Sequence, residues 1–393
     1  MPVAAAPTSG PPPRSHPIAP HGVPYFFVSV SGGLPVSAET GGATSPDFGG
    51  TAALSAPFTS GLADSAMGGS IFTSPVAFAG SGAFNAVVSA NPVTGNRTLI
   101  SQPGVRGSGP DFGSLIGGLT LDQSGNILLA GFDAGAIFKI SPITGNRSIL
   151  SSNAVGTGPS IHNVNDVVIA PNGDLFVTAQ DLDSIVRINP LNGNRTLVSG
   201  PALGTGPVFD APVGLTRTSS GDFYVYSANN ETVTFVNGVS GNRTIVSGGG
   251  VGSGTPFGEF GLDVALLPGG FLATSNFNRI FRIEIATGNR TILSGPSNGT
   301  GPAFSFVEFM TVAPDHSLIV SGDQSIFRVD PVTGNRTLLT GTSFGSGLDI
   351  GIYREAVVFV PEPSTIVLVS LVAIVASLSG ARRRRVPMTS ALR

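Results

Sequence analysis

The chain has 393 residues, with 55 Gly, 31 Pro, 41% hydrophobic and only 11% charged residues. That argues against a disordered chain, which needs low hydropathy and high net charge, and against long helices, because Gly and Pro are the poorest helix formers. There is no Cys, which excludes disulfides, thiolate metal sites, Cys nucleophiles and iron–sulfur clusters; and residues 1–360 hold 15 basic against 22 acidic residues, so nucleic acid is not an expected partner.

Residues 1–24 (MPVAAAPTSGPPPRSHPIAPHGVP) are proline-rich and lack the apolar h-region of an export signal. Residues 1–45 are expected to be a flexible Pro/Gly-rich segment or the remnant of a truncated repeat. The start codon is expected to be misassigned, or the 5′ end of the gene lost. Residues 25–48 faintly echo the end of a repeat unit, since SPDFGG there is like GPDFGS at 109–114.

The repeat fills residues 46–360. Gly-Asn-Arg recurs six times, beginning at Gly95, Gly145, Gly193, Gly241, Gly288 and Gly334, at spacings of 50, 48, 48, 47 and 46 residues. A second motif follows most copies, as GSGPDF at 107, GTGPSI at 156, GTGPVF at 204, GSGTPF at 252 and GTGPAF at 299. The third copy reads as four strands: Asp166–Ala170, Asp174–Ala179, Ser184–Asn189 and Arg195–Ser199, with turn chemistry at Pro171-Asn172-Gly173 and at Pro190 to Gly193. Four short antiparallel strands repeated every 45–50 residues are the signature of a propeller blade.

The predicted fold is therefore all-β: a six-bladed β-propeller of four-stranded blades, with seven blades as the alternative, followed by one C-terminal transmembrane helix. The first copy shows later strands at VAFAG 76–80, NAVVSANP 85–92 and RTLIS 97–101, but no clear first strand. VVFVP at 357–361 corresponds to VVIAP at 167–171, so the last strand is expected to complete the first blade. Such closure removes an exposed sheet edge.

The Arg residues of the repeat have two readings: a basic ring for an acidic polysaccharide, or charges that protect outer edge strands. The Asn-x-Ser/Thr sequons at Asn96, Asn146, Asn194, Asn242, Asn289 and Asn335 read as a ring of glycans or as plain Gly-Asn turns. The turn reading is preferred.

Strings such as SIFRVDPVTGNRT resemble six-bladed propellers of the NHL and gluconolactonase type. That resemblance implies a divalent ion held by carboxylates and Asn at the central mouth. Aligned on the turn after the first strand, Asn165, Asp166, Asp263, Glu308 and Glu355 fall near one such layer. Oxygen ligands suit Ca or Mg, and a Glu there would serve as a base. Two blades instead place Gly117 and Gly118, then Val213 and Gly214, in those slots, and His162 is the one histidine expected near the mouth. The leading expectation is a non-enzymatic binding or scaffold protein without a cofactor, with a lactone hydrolase or lyase as the alternative.

Residues 361–387 form the last region. Ser364 to Ala381 is 18 residues without a charge, and Arg382, Arg383, Arg384 and Arg385 follow at once. That length meets the lower limit for a spanning helix, and the Arg cluster marks the cytoplasmic side. With Pro361, Glu362, Pro363 and Ser364 in front, the segment resembles the PEP-CTERM sorting signal of Gram-negative bacteria. The resemblance implies recognition by an exosortase, cleavage near Pro361 to Pro363, and delivery to the envelope or an exopolysaccharide matrix. The expected partners are thus the membrane, an exosortase and exopolysaccharide. The same tail domain has been labelled after an ice-binding protein, but no flat Thr-x-Thr ladder is present to support ice binding.

Overall fold

The computed structural model describes residues 76–81, 85–258, 261–303, 305–322, 324–348 and 355–360. All of them fall in one compact unit, Ser60–Arg393. The seven-blade alternative rests on residues 25–48, and the tail on residues from 361 onward; both lie outside the described residues. Among the described residues, no helix is long and apolar enough to cross a membrane.

The described strands form six four-stranded antiparallel sheets, each a blade of an all-β propeller. The third blade shows the logic. Val164–Ile169, Leu175–Ala179, Ser184–Ile188 and Arg195–Ser199 run as a meander from the centre outward. These bounds lie within two residues of the expected ones, because apolar runs and turn residues alternate so regularly. Pro171, Asn172 and Gly173 make the first turn, with Gly173 at φ +89, a backbone conformation that glycine adopts without strain.

The first blade takes its inner strand from the other end of the chain. Glu355–Val360 pairs antiparallel with Val76–Ser81, from Val76 opposite Val360 to Ser81 opposite Glu355. The inner strands of the blades then touch in sequence. Ile116–Leu121 packs on Val164–Ile169, that on Pro212–Arg217, and so through Val264–Leu267 and Met310–Val312 to Glu355–Val360, which also packs on Ile116–Leu121. The ring closes on itself, so no inner strand is left with an open side.

The core lies between blades. Leu128, Ala130 and Ile137 of the second blade meet Val164, Leu175 and Val177 of the third in one buried cluster. Tyr226 and Val233 of the fourth meet Leu272 and Phe281 of the fifth in another. Each sheet is apolar on both faces for this reason, and strands such as Ile127–Gly131 and Phe223–Ser227 are buried at every position.

The two sequence motifs are the mating halves of one joint between blades. At the third blade, the Arg195 N–H donates to the Thr157 carbonyl at 2.7 Å. The Asn194 side-chain oxygen accepts the Thr157 N–H at 2.9 Å. The Arg195 guanidinium donates to the carbonyls of Pro159 (2.8 Å), Ser152 (2.5 Å) and Val155 (2.9 Å) and to the Ser151 hydroxyl (3.0 Å). The glycines are required at this joint: a Cβ at Gly156, which sits at φ +78, would lie 2.0 Å from the Gly193 carbonyl oxygen.

The joint recurs around the ring. The Arg N–H to carbonyl bond is 2.7 Å at each of Arg97, Arg147, Arg195, Arg243, Arg290 and Arg336. The junction that closes the ring is built the same way. There Arg97 bonds Ser346, Leu348 and Thr340, and Asn96 accepts from Ser346 at 3.0 Å. A further G-S-G at Gly345 to Gly347 is thus the sixth copy of the second motif.

This arrangement replaces both readings of the repeated Arg. Five of the six are buried (Arg195 is 5% exposed), Arg290 is half-buried, and their acceptors are backbone and hydroxyl oxygens of the preceding inter-blade loop. They form no basic surface ring and they guard no open edge. The sequon Asn residues take part in the same joint, where their side-chain oxygens accept N–H groups of the neighbouring loop.

Candidate functional site

The central channel is the site that the fold itself creates. A cavity of about 340 Å3 runs between the inner strands, walled by Gly118, Asp166, Leu215, Asp263, Met310 and Val357 among others. Among the described residues, Asp166 and Asp263 are the carboxylates in that wall.

The inner strands place both carboxylates: Asp166 within Val164–Ile169, and Asp263 immediately before Val264–Leu267. The pairing register shifts between Val164 and Val167, so backbone groups near Asp166 leave the ladder and need other partners. Asp166 supplies them. One carboxylate oxygen accepts the Val167 N–H at 2.7 Å, and the other accepts the Leu215 N–H of the next blade at 2.9 Å. Asp263 repeats this two blades on. It accepts the Val264 N–H at 2.7 Å and the Met310 N–H of the next blade at 2.6 Å. A hydroxyl supports each clip: Thr178 accepts from the Asp166 N–H and donates to the Val213 carbonyl, while Ser275 accepts from the Asp263 N–H and donates to the Glu308 carbonyl.

Burial pushes the Asp166 carboxyl up to about 6, against the two N–H donors that favour its charged form. Burial raises Asp263 further above the ordinary carboxylate range, and the charge of Asp166 adds to the rise. Like charges in one channel disfavour each other, and Asp263 carries that added rise.

The glycines that interrupt the expected ring have a physical reason. A Cβ at Gly118 would lie 2.1 Å from a carboxylate oxygen of Asp166, and one at Gly214 would lie 2.5 Å from the Asp263 backbone. Blades two to five therefore alternate Gly, Asp, Gly, Asp at one position, each Gly making room for the next blade's Asp. Gly118→Ala and Gly214→Ala are each expected to destabilise the protein by about 1–3 kcal/mol through overpacking. Urea denaturation of each variant measures this.

The other residues singled out by sequence are placed as follows. Asn165 is 1% exposed, and its amide donates to the Gln180 side chain at 3.1 Å. Glu308 is 3% exposed. Neither lines the cavity. The backbone of Glu355 opens the last inner strand, and its side chain lies outside the described residues. His162 is exposed and pairs with the Asn153 amide at 3.0 Å. Among the described residues, no group of three or more His, Asp or Glu side chains is placed to hold a metal ion. Pro361, Glu362, Pro363, Ser364 and Arg382 to Arg385 lie outside the described residues.

No family model matches the chain, and no curated protein matches it. Among solved structures it is similar to the nidogen/laminin complex, at 12% identity over 72% of this chain and 98% of that one, with a TM-score of 0.52. It is also similar to virginiamycin B lyase from Staphylococcus aureus, at 20% identity over 57% and 69% of the two chains, with a TM-score of 0.42. A gluconolactonase from Xanthomonas campestris matches at 14% identity over 69% and 88%, with a TM-score of 0.45. At these identities the likeness concerns the propeller fold alone.

Proposed function

We propose that the protein is an exported propeller of the bacterial cell envelope, sorted by its C-terminal segment and acting as a binding or scaffold module rather than an enzyme. One observation carries the reading. The strand that completes the ring ends at Val360, and Pro361-Glu362-Pro363-Ser364, an uncharged apolar run to Ala381 and four Arg follow it without a gap. This is the order of a PEP-CTERM signal. The propeller then lies on the non-cytoplasmic side of a single-pass precursor, which an exosortase processes and releases toward an exopolysaccharide matrix.

The channel supports the non-enzymatic half of the reading. Each oxygen of Asp166 and Asp263 already holds a backbone N–H. The pair therefore fastens blade three to blade four and blade five to blade six. The ring of six blades presents a rigid, net acidic body, suited to binding a neutral or polyhydroxylated polymer better than an acidic one.

Expression in a host with and without its exosortase tests the reading. With the enzyme, mass spectrometry of the C-terminus should show loss of Arg382 to Arg385, and the propeller should leave the membrane fraction. A Pro361→Ala, Glu362→Ala, Pro363→Ala variant should keep its tail and stay with the membrane. A wild-type chain that keeps the tail and remains in the cytoplasm would contradict it.

A further inference from the structure

The third turn of the blades carries a feature that folding does not explain. In five of the six blades its tip is a large aliphatic residue exposed to solvent: Val93, Ile143, Leu191, Val239 and Val332, from 72% exposed at Ile143 to 98% at Val239. The fifth blade has an exposed Ala286 there. The turn itself is fixed by other groups. Asn189 accepts the Leu191 N–H at 2.8 Å, Asp330 accepts the Val332 N–H at 2.8 Å, and Gly193 and Gly334 supply positive φ. The tip packs on nothing and needs no particular side chain. Even so, across the repeats its identity drifts among Val, Ile and Leu while the next residue stays small and polar, as Thr94, Thr144, Asn192, Ser240, Thr287 and Thr333. Single exposed aliphatics are ordinary on a protein surface; here the same exposed position carries one in five of the six blades.

The pairing register places these tips. In the third blade Ile169, Leu175, Ile188 and Arg195 stand in one row, so the tip lies at the end of the sheet where the inner strand finishes. In the first blade Phe359, Ala77, Ala90 and Arg97 make the same row, and the chain leaves at Val360 beside it. The joints repeat around the ring in one orientation, so the tips share one face. From that face the chain passes into the apolar run beginning at Ser364, with Pro361, Glu362 and Pro363 between.

We infer that the rim of Val93, Ile143, Leu191, Val239 and Val332 rests on the lipid surface while the tail is attached, seating the propeller flat on the bilayer. The inference rests on the reading of residues 364–381 as a membrane span. Three residues leave little slack, so the exit face is held against the headgroups, where aliphatic tips gain by shallow insertion. Several weak contacts on a tethered ring act together. The tips bring no basic residue, so the contact does not require anionic lipid.

The chain has no Cys, so single labels can be placed cleanly. The full chain is reconstituted in phosphatidylcholine vesicles at one copy per vesicle, carrying a fluorophore at Leu191→Cys, Val239→Cys or, as the control, Ala134→Cys. Ala134 is exposed in a turn at the opposite end of its sheet. Lipid-borne quencher should quench the labels at 191 and 239 at least threefold more than the label at 134, and 1 M salt should not change this. Equal quenching at all three positions, with the chain floating with the vesicles, overturns the rim contact and leaves the membrane tail standing. A chain that does not float overturns both. Apolar emission at 191 and 239 that appears only with several copies per vesicle overturns the lipid contact in favour of a second copy of the chain.

Discussion

Replacing Arg195 or Arg243 by Ala is expected to lower stability by about 3–5 kcal/mol, because each change strips one inter-blade joint of its cation and leaves buried oxygens without a donor. Arg243 donates to the carbonyls of Pro207 at 2.6 Å and of Gly200 and Leu203 at 3.0 Å, and to the Ser199 hydroxyl at 2.8 Å. The Ser199 hydroxyl and the Gly200 carbonyl are buried, so truncation strips this donor from two acceptors inside the joint, while the Pro207 and Leu203 carbonyls lie nearer the surface. Arg243→Lys recovers little, because one ammonium cannot span both the Pro207 carbonyl and the Ser199 cluster as a planar fork does. Arg187→Ala is the contrast. Its side chain is 48% exposed and pairs with Asp174 at 2.6 Å, so the loss stays below about 1 kcal/mol. Thermal or chemical denaturation of the four variants separates these values. A surface ring for acidic polysaccharide predicts the reverse, with unchanged stability and lost binding for Arg195→Ala and Arg243→Ala.

Stability is expected to fall, not rise, as pH increases from about 4 to 7. The Asp166 carboxyl is raised to about 6 in the folded protein, by burial. Below the ordinary carboxylate value both folded and unfolded chains carry the proton, and its contribution is fully present. As pH passes through about 6 the folded protein must ionise a buried group, and the contribution is lost. The shift corresponds to about 3 kcal/mol, and Asp263, raised further, acts in the same direction. The opposite limb comes from carboxylates held low. Ser317 hydrogen bonding lowers Asp315, and the Thr333 and Val332 N–H groups lower Asp330. Their stabilisation is present above the ordinary value and is lost only in stronger acid. The maximum therefore sits near pH 4–5. Urea midpoints from pH 3 to 8 should show it, and the Asp166→Ala, Asp263→Ala double variant should lose the fall between pH 4 and 7 while being less stable overall.

The fold was legible in the sequence because its grammar is local. Turn residues such as Pro171 to Gly173 and alternating runs such as Ser184 to Ile188 mark strands without knowledge of neighbours. The closing strand was legible by likeness of 357–361 to 167–171. The joints were not, because a charged residue in a repeat reads as surface. Arg195 is buried only because Thr157 to Pro159 of the preceding loop wrap it. The cue was present: each Gly-Asn-Arg has a Gly-Ser/Thr-Gly mate once Gly345 to Gly347 is counted. The channel was half legible. Asp166 and Asp263 do line one cavity, but Asn165 lies within a register shift of its strand and Glu308 lies before the strand Met310–Val312, and both fall outside its wall. The glycines opposite, Gly118 and Gly214, looked like missing ligands. They are the space into which the neighbouring carboxylates fit.

The most direct test of the assignment of Asp166 and Asp263 as fasteners, and of the propeller as a non-enzymatic module, is the melting temperature of the purified chain with and without millimolar Ca or Mg at pH 7. Carboxylates already engaged by backbone N–H groups predict no metal-dependent shift. A rise of several degrees that disappears in Asp263→Ala would contradict the account and favour a divalent-metal-dependent lactonase or lyase working at the same channel.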